Sequence, residues 1–479
     1  MPIPRLTPII GGRSLPAGGR DADVVLDPWT GTPIAEAVRA TAGDLDEAIA
    51  TAAAAFPAMR AMPRHARRDL LARVSTRLAE RRTELGAEIS RSCGKPITQS
   101  LAEVDRATLT FSLAADETRR FGGEVIPLDV DARAEQMLGS VRRFPVGPIS
   151  AISPFNFPLN LLAHKVAPAI AVGSTVVVKP PPQCPQLAFL LGQILAECGL
   201  PAGAYSVLHL PIPVAEGLAT DPRLALLSFT GSATVGWHLR SIAGKKKVVL
   251  ELGGNAACVV HEDAGPLEAI ARRVAVSAFA YAGQVCIKTQ RLFVHEPIYE
   301  RFTDLVTRAA AALPVGDPSD PATVVGPLID ARSADRVERW VAEAVAGGAR
   351  TRLAGARTAN VLSPGILEGA RATDKVSCME VFGPVLTVAP YARWSDALAA
   401  ANDSPFGLQA GVFTRDIGRI FEAYDALEVG GVMANEVPNL RVDNFPYGGV
   451  KESGFGREGV RYAMEDMSEP RMLVLDLRR

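Results

Sequence analysis

A carboxylate followed by two glycines, at the end of an apolar run, constrains this chain more than any other stretch. Val248-Val249-Leu250-Glu251-Leu252-Gly253-Gly254-Asn255 reads as a buried strand that delivers Glu251 to a tight loop, where backbone comes close to something else. An apolar-periodic segment follows, and 35 residues beyond Glu251 the chain arrives at Gly283-Gln284-Val285-Cys286. Gly283 can turn the chain sharply ahead of the thiol. A thiol and a carboxylate brought to one cleft can work as nucleophile and general base. A plainer reading stands beside this one. A Cys in an apolar context is commonly a small core residue, the chain has 6 of them, and a Glu after a strand is commonly a solvated loop residue.

At 479 residues the chain is long enough for roughly three domains of about 150 residues each. Charged residues make up 22% and nearly cancel, to a net charge of −1, so no global field attracts nucleic acid or an anionic membrane. Six cysteines without close pairs fit reduced thiols better than a disulfide framework. Met1-Pro2-Ile3-Pro4-Arg5 lacks the apolar core of a signal peptide, and the apolar stretch Val166 to Val178 is broken by Pro168, Gly173, Ser174 and Thr175. These features predict a soluble cytoplasmic enzyme with no membrane, nucleic-acid or metal partner.

Helices are expected from Asp44 to about Phe56, from Arg64 to Ser92 and from Ser100 to Phe121, the last two stopped by Gly94 and by Gly122-Gly123. Arg106 on the third is by default a surface charge. Met137 to Phe144 reads as an isolated exposed strand, and Arg471 to Leu477 could pair with it. From Pro148 strands and helices alternate: Ile149 to Ile152, Ser174 to Val178, Tyr205 to Leu208 and Leu224 to Phe229 are strands, with a helix from Leu187 to Cys198. This pattern implies βαβ units and a mostly parallel sheet. A second α/β segment follows Glu251, with a helix from Leu267 to Tyr281. In parallel sheets ligands bind at the carboxyl ends of strands, and Asn156, Lys179 and Thr230-Gly231-Ser232 all follow such ends. In Phe229-Thr230-Gly231-Ser232-Ala233-Thr234-Val235-Gly236, Gly231 allows a phosphate to approach the unpaired N–H groups of a helix start.

The chain carries, in order, Pro154-Phe155-Asn156-Phe157-Pro158, Lys179-Pro180, Phe229-Thr230-Gly231-Ser232, Glu251-Leu252-Gly253-Gly254, Gly283-Gln284-Val285-Cys286, Glu380-Val381-Phe382-Gly383-Pro384 and Asn402 to Gly407. In this order the motifs resemble the aldehyde dehydrogenase superfamily. The resemblance implies an α/β fold in three parts: a Rossmann-like cofactor domain (1–126 and 147–252), an α/β catalytic domain (253–434), and β oligomerisation and bridging segments (127–146 and 435–479). Arms of this kind imply a homodimer or homotetramer. It further implies NAD- or NADP-dependent oxidation of an aldehyde, with Cys286 as nucleophile, Asn156 and the Cys286 backbone N–H holding the oxyanion, and Glu251 activating water. The implied cofactor-binding residues are Ile152, Ser153, Pro154, Phe155, Lys179, Pro182, Gly231, Ser232, Val235, Leu252, Gly253, Glu380 and Phe382. Glu380 would hold the nicotinamide ribose, and Phe382 would lie against the ring. Cys93, Cys184, Cys198, Cys258 and Cys378 read as structural. Members that transfer the acyl group to coenzyme A lack the Glu of Glu-Leu-Gly-Gly, so Glu251 favours hydrolysis. A structural protein that kept the fold but lost the chemistry would be expected to lose the Cys, Glu or Asn, and all three stand here.

NAD-preferring relatives often carry a Glu three residues after the Lys of Lys-Pro; here Pro182 occupies that place, so nothing repels a 2′-phosphate. The runs Glu103-Val104-Asp105-Arg106 and Arg441-Val442-Asp443-Asn444-Phe445-Pro446 are most similar to the branch containing non-phosphorylating glyceraldehyde-3-phosphate dehydrogenase and phosphonoacetaldehyde dehydrogenase. Of four phosphate-holding residues in the former, Arg106 and Arg441 match, whereas Phe157 replaces a Tyr and Val285 an Arg. Two guanidiniums can still clamp a carboxylate, sulfonate or phosphonate. The expectation is a small anionic aldehyde, with a neutral one such as lactaldehyde as the alternative. Arg441 could instead pair with Asp443.

Overall fold

The computed structural model describes residues 3–478. The apolar β-branched runs become the inner strands of an eight-stranded sheet, whose order is Gly454–Phe455, Lys247–Glu251, Leu226–Thr230, Ile149–Ile152, Val176–Lys179, Tyr205–Val207, Ile9–Ile10 and Arg13–Ser14. The five central strands are mutually parallel. Successive side chains leave a strand on opposite faces, so Val176 and Val178 enter one apolar core while Val177 enters the core on the other face. Helices cover both faces, which is why these strands are continuously apolar rather than alternating.

The chain first lays down the edge strands Ile9–Ile10 and Arg13–Ser14; the parallel part then starts in the middle, at Ile149–Ile152, builds outward through Val176–Lys179 and Tyr205–Val207, and returns to add Leu226–Thr230 and Lys247–Glu251 on the other side. That reversal opens a crevice at the carboxyl ends of Ile149–Ile152 and Leu226–Thr230. The register aligns those ends: Ile152 pairs with both Lys179 and Phe229, and Thr230 pairs with Glu251.

A second sheet of seven strands runs Arg350–Leu353, Gly365–Glu368, Val385–Tyr391, Arg291–His295, Ala257–Val260, Gln409–Phe413 and Gly431–Ala434, parallel except at its first pair. The expected arm forms. Met137–Pro145 pairs antiparallel with Ser468–Asp476, and Glu124–Ile126 adds a third strand. Residues 447–456 do more than reach this arm. Gly454–Phe455 closes the edge of the first sheet against Leu250 and Glu251, and Val450–Lys451 pairs with Phe406–Gly407.

Three helix expectations are corrected. The first helix spans Ala42–Ala61, capped by Thr41 rather than opened by Asp44, with Thr41 Oγ1 accepting from Asp44 N and the Asp44 carboxylate accepting from Thr41 N. It runs through Pro57 because burying Met59 in the core outweighs the bond the proline removes. The Arg64 to Ser92 pattern is two helices, Arg64–Glu80 and Arg82–Cys93, broken at Arg81. The helix expected to reach Tyr281 stops at Phe279, and Tyr281, Ala282 and Gly283 take successive left-handed conformations. Two of those three residues carry a Cβ, so strain is held immediately ahead of Cys286. Among the described residues no helix is long and apolar enough to cross a membrane.

Candidate active site

Four strand ends and two loops of the second sheet enclose a cleft of ≈ 530 Å³. Ile149–Ile152 delivers Ile152, Ser153, Pro154, Phe155 and Asn156; Val176–Lys179 delivers Lys179 and Pro182; Leu226–Thr230 delivers Gly231, Ser232 and Val235; Lys247–Glu251 delivers Glu251, Leu252 and Gly253. From the opposite side come Cys286, Glu380 and Phe382. Every residue expected to bind cofactor or to do the chemistry thus lines one space.

The polar groups on the cofactor side are short of partners. Ser153 Oγ and Thr230 Oγ1 are buried without a hydrogen bond among the described residues. Ser232, the N-cap of Ala233–Ile242, makes no side-chain cap, which leaves the N–H groups of that helix start to a ligand. Burial pushes the Lys179 amine down to about 8, and among the described residues it has no carboxylate partner, only a 3.4 Å bond to Pro180 O. A half-buried amine and a free helix start suit the phosphates and ribose of a dinucleotide. Burial raises the Glu380 carboxyl to about 7, opposed by its 3.1 Å bond from Gly254 N and by Arg336 and Lys288. A Cβ on Gly253 would overlap that carboxylate, which accounts for the first glycine of the motif. Phe382 meets Phe155 edge-on, with ring centres 5.8 Å apart.

Cys286 sits at the floor. Burial pushes its thiol up to about 11, while a hydrogen bond with Tyr447 and the charge of Arg441 pull the other way. Asn156 Nδ2 donates to Gln284 O at 3.0 Å and so ties the Pro-Phe-Asn-Phe-Pro loop to the nucleophile loop. An amide nitrogen carries two hydrogens, which leaves one for a substrate oxygen. Glu251 is 2% exposed, and neither of its oxygens has a hydrogen-bond partner among the described residues. Burial, reinforced by Glu458, holds its carboxyl well above the usual range, against the pull of Arg441, Lys165 and Arg457.

Beyond Cys286 lies a second cavity of ≈ 340 Å³, which receives all four residues expected around the substrate: Arg106, Phe157, Val285 and Arg441. Arg106 is no free surface charge. Its Nε and Nη2 donate to Asp443 at 3.1 and 2.6 Å. The alternative Arg441–Asp443 pair is present but long, at 3.8 Å, and Arg441 also donates through Nη2 to Glu458 at 3.0 Å. Arg441 Nε is buried without a hydrogen bond among the described residues. Asp443 also meets His164 Nε2 at 2.8 Å, and burial lowers the pKa of that imidazole. Charged pairs on both arginines therefore set their direction and leave part of each guanidinium for a ligand.

Several site residues escaped the sequence reading. Tyr447 lies immediately ahead of Gly448-Gly449 in a segment read as irregular wall, yet its hydroxyl is 3.0 Å from Cys286 Sγ. Lys165 carried a visible signal, a charge inside the apolar helix Asn160–Val172; it is fully buried and bonds Glu458 at 2.9 Å. Glu103 accepts from Leu159 N and Asn160 N at 2.9 and 3.1 Å and is paired with buried Lys95. Lys95 in turn lies 3.6 Å from the centre of the Phe157 ring. This pair fixes the far end of the loop that carries Asn156.

The family model described as "Aldehyde dehydrogenase family" matches residues 17–473. The 3-sulfolactaldehyde dehydrogenase of Priestia megaterium is 40% identical over 454 residues, covering 95% of this chain and 94% of that protein. The crystal structure of aldehyde dehydrogenase 21 from Physcomitrella patens, in complex with the reaction product succinate, superposes with a TM-score of 0.97 at 41% identity over 100% of this chain and 99% of that one. That of glyceraldehyde-3-phosphate dehydrogenase GapN from Methanocaldococcus jannaschii, complexed with NADP, gives 0.91 at 36% identity over 96% and 100%.

Proposed function

Because the chain belongs to the aldehyde dehydrogenase family and is an oxidoreductase of aldehydes, we propose that it oxidises a small anionic aldehyde to the carboxylic acid with NAD or NADP. The observation that carries this reading is the position of Cys286. It lines both cavities, with the dinucleotide-suited cleft on one side and the arginine-lined one on the other.

Lys179, Ser232 and the start of Ala233–Ile242 would hold the adenosine and phosphate end, and Glu380 the nicotinamide ribose. When bound, the nicotinamide supplies a hydride acceptor. Cys286 loses its proton and attacks the aldehyde carbon, giving a thiohemiacetal oxyanion. The free Asn156 amide hydrogen and the Cys286 backbone N–H hold that oxyanion. Loss of hydride from the carbon leaves a thioester on Cys286. Glu251 then takes a proton from water, hydroxide adds to the thioester carbon, and collapse expels the Cys286 thiolate and releases the acid. The raised pKa of Glu251 suits a base that must also hold a proton.

Arg106 and Arg441 favour an anion on the far side of the aldehyde, and the relative from Priestia megaterium is named for a sulfonated substrate. Phe157 and Val285 give the same cavity an apolar wall. A matched pair tests the choice: 3-sulfolactaldehyde and lactaldehyde share one three-carbon frame and differ by the sulfonate. The parent should favour the former in kcat/KM. Arg106→Ala, removing a charge-assisted contact of about 1.5–3 kcal/mol, should cost it roughly ten- to a hundredfold while sparing lactaldehyde. Equal losses on both, or no preference in the parent, would make the arginines structural. The exposed apolar residues Leu473, Val474 and Leu475 on the arm fit a homodimer or homotetramer, which sedimentation would distinguish from a monomer.

A further inference from the structure

The Tyr447 hydroxyl lies 3.0 Å from Cys286 Sγ, within hydrogen-bond reach of a sulfur acceptor. Tyr447 is held from all sides. Its backbone N–H donates to Glu458 O at 2.9 Å, its side chain packs with Ile287 and Leu408, and the Arg441 guanidinium lies 3.7 Å from the ring centre. The phenol is buried, and burial together with the neighbouring thiol holds its pKa well above the ordinary value, so it remains a proton donor. The sulfur faces four other ionisable groups: Tyr447, Glu380 from the loop ahead of Val385–Tyr391, Arg441, and Glu251 at the end of Lys247–Glu251. Burial and the two carboxylates oppose a thiolate here. Only Tyr447 and Arg441 favour one, and Tyr447 alone hydrogen-bonds the sulfur among the described residues.

We propose that Tyr447 is a further catalytic residue, whose hydroxyl donates to Cys286 Sγ and stabilises the thiolate both before it attacks the aldehyde and when the thioester expels it. This rests on the reading of Cys286 as the nucleophile. Once sulfur is bonded to carbon its negative charge is gone and the hydrogen bond weakens, so the contact favours the two thiolate states that flank the covalent ones. Asn156 and Glu251 act on the oxygen and the water, so neither duplicates this role.

The test uses no aldehyde. Alkylation of Cys286 by iodoacetamide is followed across pH by mass spectrometry of its peptide, in the parent and in Tyr447→Phe. Loss of a charge-assisted donor should move the inflection upward by about one to two pH units. Because a more basic thiolate is also the better nucleophile, the plateau at high pH should rise by about threefold for each pH unit the inflection moves, while the rate near neutrality falls. A structural role would lower the rate at every pH without moving the inflection. Replacing Tyr447 by 3-fluorotyrosine, a stronger donor of the same shape, should move the inflection down. An unmoved inflection in both proteins overturns the proposal. Dehydrogenase activity with an unmoved inflection refutes Tyr447 alone. A shifted inflection in a protein that oxidises no aldehyde refutes the proposed function and leaves the contact standing.

Discussion

Glu251→Gln should make the protein more stable and less active at the same time. Both Glu251 oxygens are buried without a hydrogen-bond partner among the described residues, and burial with Glu458 nearby raises the carboxyl's pKa. Unfolded, the same group titrates near 4.3. Between that value and its raised folded value, the native protein holds a proton that the unfolded chain has lost. Its contribution to stability is therefore full below the unfolded pKa and is lost as pH rises through the folded one. Within that window each pH unit removes about 1.4 kcal/mol from the parent. Glutamine has the same shape and does not titrate, so the variant escapes the loss. Thermal unfolding of both proteins from pH 5 to 8.5 measures the gap, which should favour the variant and widen with pH. Steady-state turnover of the variant should fall because the base is gone. A gap that is flat in pH, or a variant less stable than the parent at pH 8, would mean that Glu251 is stabilised by contacts absent from this structure.

Two further outcomes follow from the site. Asn156→Ala removes one oxyanion donor and should lower turnover by ~10²–10³; a change below about tenfold in steady-state rate would leave Asn156 only its bond to Gln284 O. With Pro182 where a ribose-binding carboxylate would stand, and Lys179 without a carboxylate partner among the described residues, NADP should rival NAD in kcat/KM; a preference for NAD above about a hundredfold would refute this.

The parts of the site that strand ends deliver were legible because period and turn chemistry are local. The Val176-Val177-Val178-Lys179 run and the Glu251-Leu252-Gly253-Gly254 turn each place their residue within a few positions of the signal. The arm was legible for the same reason, as two alternating runs without a core of their own. What escaped depends on distant partners. Arg106 meets Asp443 across 337 positions and Lys165 meets Glu458 across 293, and no local pattern announces either pairing. Arg441 could be placed beside its near neighbour Asp443 from the sequence, and the fold does so at 3.8 Å, but its shorter partner, Glu458, lies 17 positions away. Tyr447 was hidden by its glycines, which mark an irregular loop without saying which side chain the loop aims inward. The helix errors have a similar origin: Pro57 and Arg81 obey tertiary packing over propensity.

The central claim is that oxidation passes through a covalent acyl group on Cys286. Glu251→Gln mixed rapidly with aldehyde and oxidised cofactor, stopped in acid and digested, should yield a Cys286 peptide heavier by the acyl group, in step with a burst of reduced cofactor that precedes slow turnover. Cys286→Ala should give neither the adduct nor the burst while still binding cofactor. Reduced cofactor formed without added mass on Cys286, or oxidation by Cys286→Ala within tenfold of the parent, would contradict the account.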